Sequence, residues 1–197
     1  KTFDIEHLMI ASTSSVYGSS QDLPFFEMQK ADEQLSFYAA TKKACEVMAH
    51  SYSHIYNLPT TIFRFFTVYG PWGRPDMALY KFTKLILNSR EIEIYNNGDM
   101  KRDFTYIDDL VKGVYLLIDK IPKKSVQKNI KILNDSKSKV APYRIVNIGN
   151  SNPINLIDYV RELEINLGIS AKKKFVGMQK GDVKDTFSDV TLLKNLT

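Results

Sequence analysis

Three consecutive segments narrow the folds open to this chain more than any other feature. Residues 7–12 (HLMIAS) form a short apolar run with polar residues on either side. Residues 36–56 bring Ala40, Ala44, Val47, Met48, Tyr52 and Ile55 round at three-to-four spacing, with Ser36 placed to cap the start. Residues 60–66 (TTIFRFF) are β-branched and aromatic. Strand, helix, strand in that order is a βαβ unit, whose crossover is almost always right-handed. Ligands in such sheets sit beyond the carboxyl ends of the strands. Thr13, at the end of the first strand, and Thr67, at the end of the second, therefore fall on one functional rim.

Further along, residues 68–75 hold two glycines and two prolines and leave the sheet. Residues 78–88 read as a helix with Leu79, Phe82, Leu85 and Ile86 apolar, and 91–95 alternate as a short strand. Residues 104–107 are extended, and Asp108 or Asp109 is placed to cap a helix over 110–121. A strand over 144–148 precedes a helix capped by Asn155 and closed by Gly168, and 175–176 read as one more strand. No internal repeat is present.

A hydrophobic share of 44% with 25% charged residues is globular, and 197 residues suit one ordinary domain or one and a half small ones. No window reaches the ~18 apolar residues of a membrane span, and residues 1–7 (KTFDIEH) lack a signal-peptide core. A lone Cys45 excludes an internal disulfide and fits a reducing cytoplasm, and its helical position reads as a packed thiol. The net charge of +5 raises nucleic acid as a partner. The lysines, however, cluster at Lys123, Lys124, 128–139 and 172–174, away from the aromatic-rich parts, with 125–141 a polar excursion. A solvated face, with weak attraction for anionic metabolites, is the better reading, so neither nucleic acid nor membrane is expected as a partner. His50 and His54 have the spacing of a zinc pair, but no Glu follows His50 and no third ligand is evident, so no metal is expected.

The chemistry sits in a split constellation: Ser12 to Gly18 (STSSVYG), then Tyr38 and Lys42 one helical turn apart on a shared face. A free tyrosine is a poor base at neutral pH. An ammonium ~4 Å away, in an effective dielectric of ~20, favours a phenolate by roughly 4 kcal/mol, which brings it toward general-base duty. The Thr13 hydroxyl, where the first strand runs out, can hold a substrate alcohol beside Tyr38. Each part alone has a plainer reading, a common helical pair or a polar turn after a strand. The combination, followed by an apolar strand ending FRFF, is far rarer.

These residues resemble the extended short-chain dehydrogenase/reductase family of NAD-dependent nucleotide-sugar epimerases and dehydratases, closest to the UDP-glucuronate 4-epimerases. The likeness also rests on residues 70–79 (GPWGRPDMAL), 98–109 (GDMKRDFTYIDD) and 178–183 (MQKGDV), and runs through nearly the whole chain apart from the Lys-rich stretch. It implies an α/β fold: the C-terminal part of a Rossmann-type doubly wound parallel sheet plus a small α/β substrate-binding domain. Residues 1–69 would belong to the NAD-binding sheet, and 70–197 mainly to the substrate domain with some segments returning to the sheet. The resemblance makes Tyr38 the base, Lys42 its electrostatic partner and a ligand of the nicotinamide ribose, Phe65 a cofactor neighbour, and Thr13 the bridging hydroxyl. A proton leaves the C4 hydroxyl and a hydride passes from C4 to NAD. The 4-keto sugar then turns over and takes the hydride back on its other face. Arg102 would grip the UDP diphosphate, Arg74 the diphosphate or sugar, Thr67 the sugar, and Gln179 and Asp182 the nucleotide's ribose and phosphates. Lys180 departs from the usual proline. A homodimer through helices that include the Tyr38 helix is expected from the same likeness.

Within the family, 4,6-dehydratases typically carry Asp-Glu after the position of Thr13, and decarboxylases a Glu at that of Ser15. Ser14 and Ser15 stand there instead. Two hydroxyls can donate to a substrate carboxylate without repelling it, which favours an epimerase that leaves a hexuronate otherwise intact. Other nucleotide-sugar chemistries of the family are the alternative. None of the nine glycines forms the G-x-x-G-x-x-G dinucleotide loop. The likeness therefore implies a chain opening just before the fourth strand of the nucleotide domain: either the catalytic and substrate half of an epimerase, or a non-catalytic remnant that binds a UDP-sugar or a partner through an open sheet edge.

Overall fold

A computed structural model describes residues 4–124 and 135–197. The middle of the polar stretch, residues 125–134, lies outside the described residues. The elements run β1 (Leu8–Thr13), α1 (Phe37–Tyr56), β2 (Thr60–Phe65), β3 (Thr67–Tyr69), α2 (Ala78–Leu87), β4 (Glu91–Ile94), β5 (Lys101–Tyr106) and α3 (Ile107–Leu117). They continue with β6 (Tyr143–Ile148), β7 (Pro153–Asn155), α4 (Leu156–Leu167), β8 (Lys172–Phe175), β9 (Asp185–Thr186) and α5 (Thr191–Leu196). Among these helices none is long and apolar enough to cross a membrane.

The first sheet is parallel, in the order β1-β2-β6. Thr13 lies level with Phe65, and Phe65 with Ile148, so the three carboxyl ends form one rim. Alternation along β2 sends Ile62 and Phe63 to opposite faces. Phe63 packs with Val146 and Ile148 against Leu110 and Leu117 of α3 and Leu192 and Leu196 of α5. Ile62 packs with Tyr143 and Ala49 of α1. The chain then changes sheets at Phe66, whose N–H donates to the Ile148 carbonyl at 3.2 Å. Thr67 consequently opens β3 rather than ending β2, a correction to the sequence reading. β3 pairs parallel with β5, and β5 takes β7 antiparallel and β9 parallel. A second core, Phe82 and Ile86 of α2, Ile92 and Ile94 of β4 and Val160 of α4, lies under the two-stranded β4-β8 sheet.

Two local expectations shift. Strand β5 runs straight into α3 at Ile107, with no side-chain cap at Tyr106. Asp108 and Asp109 lie within the first turn, where their charge suits the helix dipole without capping it. β8 begins three residues before Phe175, because Lys172 and Lys174 stand opposite Glu91 and Glu93 on β4, and opposite charges across a strand pair are mildly favourable. The 172–174 lysine cluster is thus a solvated strand. Ser36 and Asn155 cap their helices as the sequence suggests, accepting from the Ala39 and Ile157 N–H groups.

The helix α1 turns the other way from its apolar stripe. Ala40, Ala44, Val47, Met48, Tyr52 and Ile55 are all exposed, and the face on the sheet carries Ala39, Glu46, Ala49 and Ser53. Small side chains allow close approach, and Glu46 meets a buried arginine. Arg64, 1% exposed near the carboxyl end of β2, donates Nε to Glu46 Oε1 at 3.0 Å and Nη2 to Oε2 at 2.8 Å. Burial alone would raise the Glu46 carboxyl, but the Arg64 hydrogen bonds and charge, with Ser12 and Lys43, hold it below its ordinary value. Ser12 Oγ donates to the same carboxylate at 2.7 Å. The guanidinium lies 4.7 Å over the Tyr17 ring, and the Tyr17 hydroxyl donates to Asn147 Oδ1 at 2.7 Å. Glu27 Oε1 accepts from the Asn147 N–H at 2.8 Å, and burial pushes its carboxyl up to about 7.

Removing one member of a buried pair strands the other. Glu46→Ala should cost about 3–5 kcal/mol in chemical denaturation, and Glu46→Met with Arg64→Met together much less. For Glu27 the folded carboxyl keeps its proton up to about pH 7, whereas the unfolded one ionises near 4.5. Its contribution is therefore present below pH 4.5 and declines as pH rises toward 7 and beyond. Denaturation midpoints across that window should show the decline, and Glu27→Gln should reduce it.

Candidate active site

The rim at the end of β1 is built by local hydrogen bonds. Thr13 is extended (φ −152°, ψ 151°) and leads into a 3-10 turn over Ser14–Tyr17. Its Oγ1 accepts from the Ser15 N–H at 3.2 Å and donates to Ser15 Oγ at 3.2 Å. Ser36 fixes the start of α1, which brings Tyr38 to the same rim, half exposed. One turn on, Lys42 Nζ donates to the Ala11 carbonyl of β1 at 3.1 Å. One cavity of about 660 Å³ is lined by Thr13, Ser14, Ser15, Tyr38, Phe65, Thr67 and Arg74, seven of the residues singled out from the sequence.

That cavity has a marked chemical bias. Its walls are hydroxyls, aromatic rings, glycines and Met77, and Arg74 is the one charged residue among those lining it. Arg74 is engaged by a neighbour, donating Nε to Asp76 Oδ1 at 3.0 Å, and the Asp76 bonds and charge raise its already high pKa. Both side chains are exposed, so an anionic ligand has only a solvated contact to exchange.

Lys42, Arg102, Gln179 and Asp182 do not line it. Arg102 Nη2 donates to Asp182 Oδ1 and to the Val183 carbonyl, both at 2.8 Å, and Nη1 to the Lys184 carbonyl at 2.8 Å. Instead of an open fork it is a clasp that holds the 182–184 segment against β5. Asp182 lines a separate cavity of about 490 Å³ beside Gly18 to Gln21, and Gln179 is exposed. His50 Nε2 and His54 Nδ1 bond Ser138 Oγ and the Val140 carbonyl, at 2.8 and 2.9 Å, and no metal-binding cluster occurs among the described residues. Cys45 is partly buried.

Asp103 was not singled out from the sequence, yet it ties β5 to the turn after β6 and to Ser188. Fully buried, its carboxylate accepts from the Asn150, Ser151 and Ser188 N–H groups at 2.9, 3.1 and 2.9 Å, and from Ser188 Oγ at 2.6 Å. Gly149 permits the approach, since a Cβ there would sit 2.2 Å from Ser188 Oγ. The Glu46–Arg64 pair was also missed. Its signal was available: an arginine inside an apolar strand needs a carboxylate, and α1 offers Glu46.

Residues 1–132 match the NAD dependent epimerase/dehydratase family. The chain belongs to that family. Among its relatives are a probable UDP-glucuronate 4-epimerase of Rhizobium meliloti, 50% identical over 98% of this chain and 56% of its own, and protein CapI of Staphylococcus aureus, 50% identical over 95% and 56%. The fold matches the crystal structure of a UDP-glucuronic acid 4-epimerase from Bacillus cereus in complex with UDP-glucuronic acid and NAD. The TM-score is 0.82 and the identity 30%, over 99% of this chain and 56% of that one. The chain thus spans about half the length of the curated relatives it matches. Against the family's cofactor, the residues present fit the nicotinamide end. Lys42 has one hydrogen bond, to a carbonyl of the edge strand β1, where Ala11 is exposed, so further ammonium protons are free for a ribose hydroxyl. The pyrophosphate end has no Gly-rich loop among these 197 residues.

Asp103→Ala should leave the Asn150 and Ser188 N–H groups without acceptors, at about 1–3 kcal/mol each, and reduce the Ser151 N–H to its longer bond with Ser188 Oγ at 3.3 Å. Hydrogen exchange should quicken at Asn150, Ser151 and Ser188 while β1 and β2 keep their protection.

Proposed function

We propose that this chain is the catalytic and substrate-holding part of a UDP-hexuronate 4-epimerase, interconverting UDP-glucuronate and UDP-galacturonate. The observation that carries the reading is the cavity that gathers Thr13, Tyr38 and Thr67 with no carboxylate in its lining. Dehydration needs an acid for the departing hydroxyl, and none stands there. A hexuronate carboxylate, by contrast, meets hydroxyls and Arg74. The names of the half-identical relatives support the same assignment.

Tyr38 takes the proton of the C4 hydroxyl, and Thr13 holds that oxygen beside it. For this, Thr13 Oγ1 turns from Ser15 Oγ toward the ligand, a rotation of one hydroxyl. Positioned proton transfer of this kind supplies about 10²–10⁴-fold. Ser14, Ser15 and Thr67 donate to the carboxylate, and Arg74 exchanges Asp76 for a ligand anion, a fork suited to carboxylate or phosphate. Lys42, Tyr38 and Phe65 hold the nicotinamide end of NAD. When bound, NAD supplies the acceptor that takes hydrogen from C4 and returns it to the opposite face. Arg102, Asp182 and Gln179 hold the nucleotide, with Arg102 acting through the 182–184 segment it clasps. The β1-β2-β6 side faces the cofactor and the remainder the UDP-sugar.

The same proposal includes a homodimer seated on the exposed apolar face of α1, where Val47, Met48, Tyr52 and Ile55 are each more than half exposed among the described residues. A cytoplasmic setting, supported by the single unpaired cysteine, and supply of hexuronate for polysaccharide synthesis complete it.

With a Gly-rich dinucleotide half joined to this chain, Tyr38→Phe should abolish interconversion, by 10²-fold or more, and leave UDP binding intact. Retained turnover would remove Tyr38 from its role. The 197 residues alone should bind NAD weakly or not at all by calorimetry, and micromolar binding would contradict the placement of its pyrophosphate.

A further inference from the structure

The loop after β3 carries a residue that the fold does not use. Gly73 N–H donates to the Gly70 carbonyl at 3.2 Å, closing a four-residue turn with Pro71 second and Trp72 third. Trp72 has a φ of +63°. A turn with proline second and positive φ third is of the type II class, and glycine or asparagine fills that third position without strain. A bulky ring there is strained. Trp72 is also the chain's one tryptophan, and it is fully exposed at 103%. No packing within the fold offsets the strain.

What the ring does border is the site. Trp72 lines the Thr13–Tyr38 cavity and also an adjoining one of about 650 Å³ floored by Tyr80, Lys84 and Leu87. Arg74 and Met77 of the same loop line both cavities, so the loop is the partition between them. An indole on such a rim presents a flat apolar face and one N–H donor to whatever spans the partition.

We infer that Trp72 stacks on the sugar ring of the bound nucleotide-sugar and so favours it over the bare nucleotide. The inference rests on the nucleotide-sugar reading above. The C–H face of a pyranose suits an aromatic plane, and the fixed turn holds the indole at the rim, leaving only its side-chain torsions to order at binding.

Because the chain has a single tryptophan, its fluorescence reports this contact alone. UDP-glucuronate and UDP are titrated separately, each followed by calorimetry and by tryptophan emission. The expected result is an emission change that saturates with the calorimetric affinity for UDP-glucuronate and is absent with UDP. Trp72→Gly, which relieves the turn, should keep or raise the denaturation midpoint. It should weaken UDP-glucuronate about tenfold and leave UDP unchanged, and Trp72→Phe should recover most of the loss. UDP-glucuronate binding with silent emission, or with unchanged affinity in Trp72→Gly, would overturn the inference and leave the proposed function standing. An equal emission change with UDP would place the ring on the nucleotide, and so also overturn it. No calorimetric binding of UDP-glucuronate would overturn both together.

Discussion

The buried pair between Glu46 and Arg64 is the constraint on which the site depends. Two charges at 1–3% side-chain exposure are expensive to desolvate, and only near-ideal geometry offsets that cost. Here the geometry is a two-bond fork, with Ser12 as a third donor to the carboxylate and the Tyr17 ring under the guanidinium. The residues joined are neighbours of those at the rim. Ser12 precedes Thr13, and Glu46 follows Lys42 by one helical turn and Tyr38 by two. A pair that gains little net stability thereby sets the register of α1 against β1, and with it the approach of Tyr38 to Thr13.

The βαβ unit was legible because both its periodicities are strong and Ser36 caps α1 conventionally, as Asn155 and Gly168 cap α4 further along. The rim was legible for the same reason, since parallel strands of matched length end level. The orientation of α1 was not. Its apolar stripe identifies a helix, but the face that packs on the sheet is the one with alanines and a paired glutamate. Apolar periodicity alone does not say which face of a helix a sheet will take. β7 and β9, at three and two residues, owe their pairing to β5 and carry no periodicity of their own. α5, six residues long, is held by Leu192 and Leu196 beneath β6.

Among the side chains singled out, those tied to a backbone position are brought together: Thr13, Ser14, Ser15, Tyr38 and Thr67 all line one cavity. The arginines came through less well, because a guanidinium is long and takes whichever acceptor is in reach. Arg74 holds Asp76, and Arg102 holds Asp182 with three carbonyls, those of Lys101, Val183 and Lys184. The Arg74 contact is solvated on both sides, whereas the Arg102 contacts close a clasp on the 182–184 segment. The cavity itself, with hydroxyls and no acid, separates the possible chemistries of one family more sharply than the fold does, because the fold serves all of them.

The central claim is that C4 of a hexuronate is oxidised and restored and that nothing else is done to the sugar. Mass and NMR analysis of product made from UDP-glucuronate deuterated at C4, by this chain joined to a dinucleotide-binding half, tests it directly. The account predicts UDP-galacturonate that keeps its deuterium at C4 and all six sugar carbons. Label lost to solvent, or a five-carbon product, would contradict it.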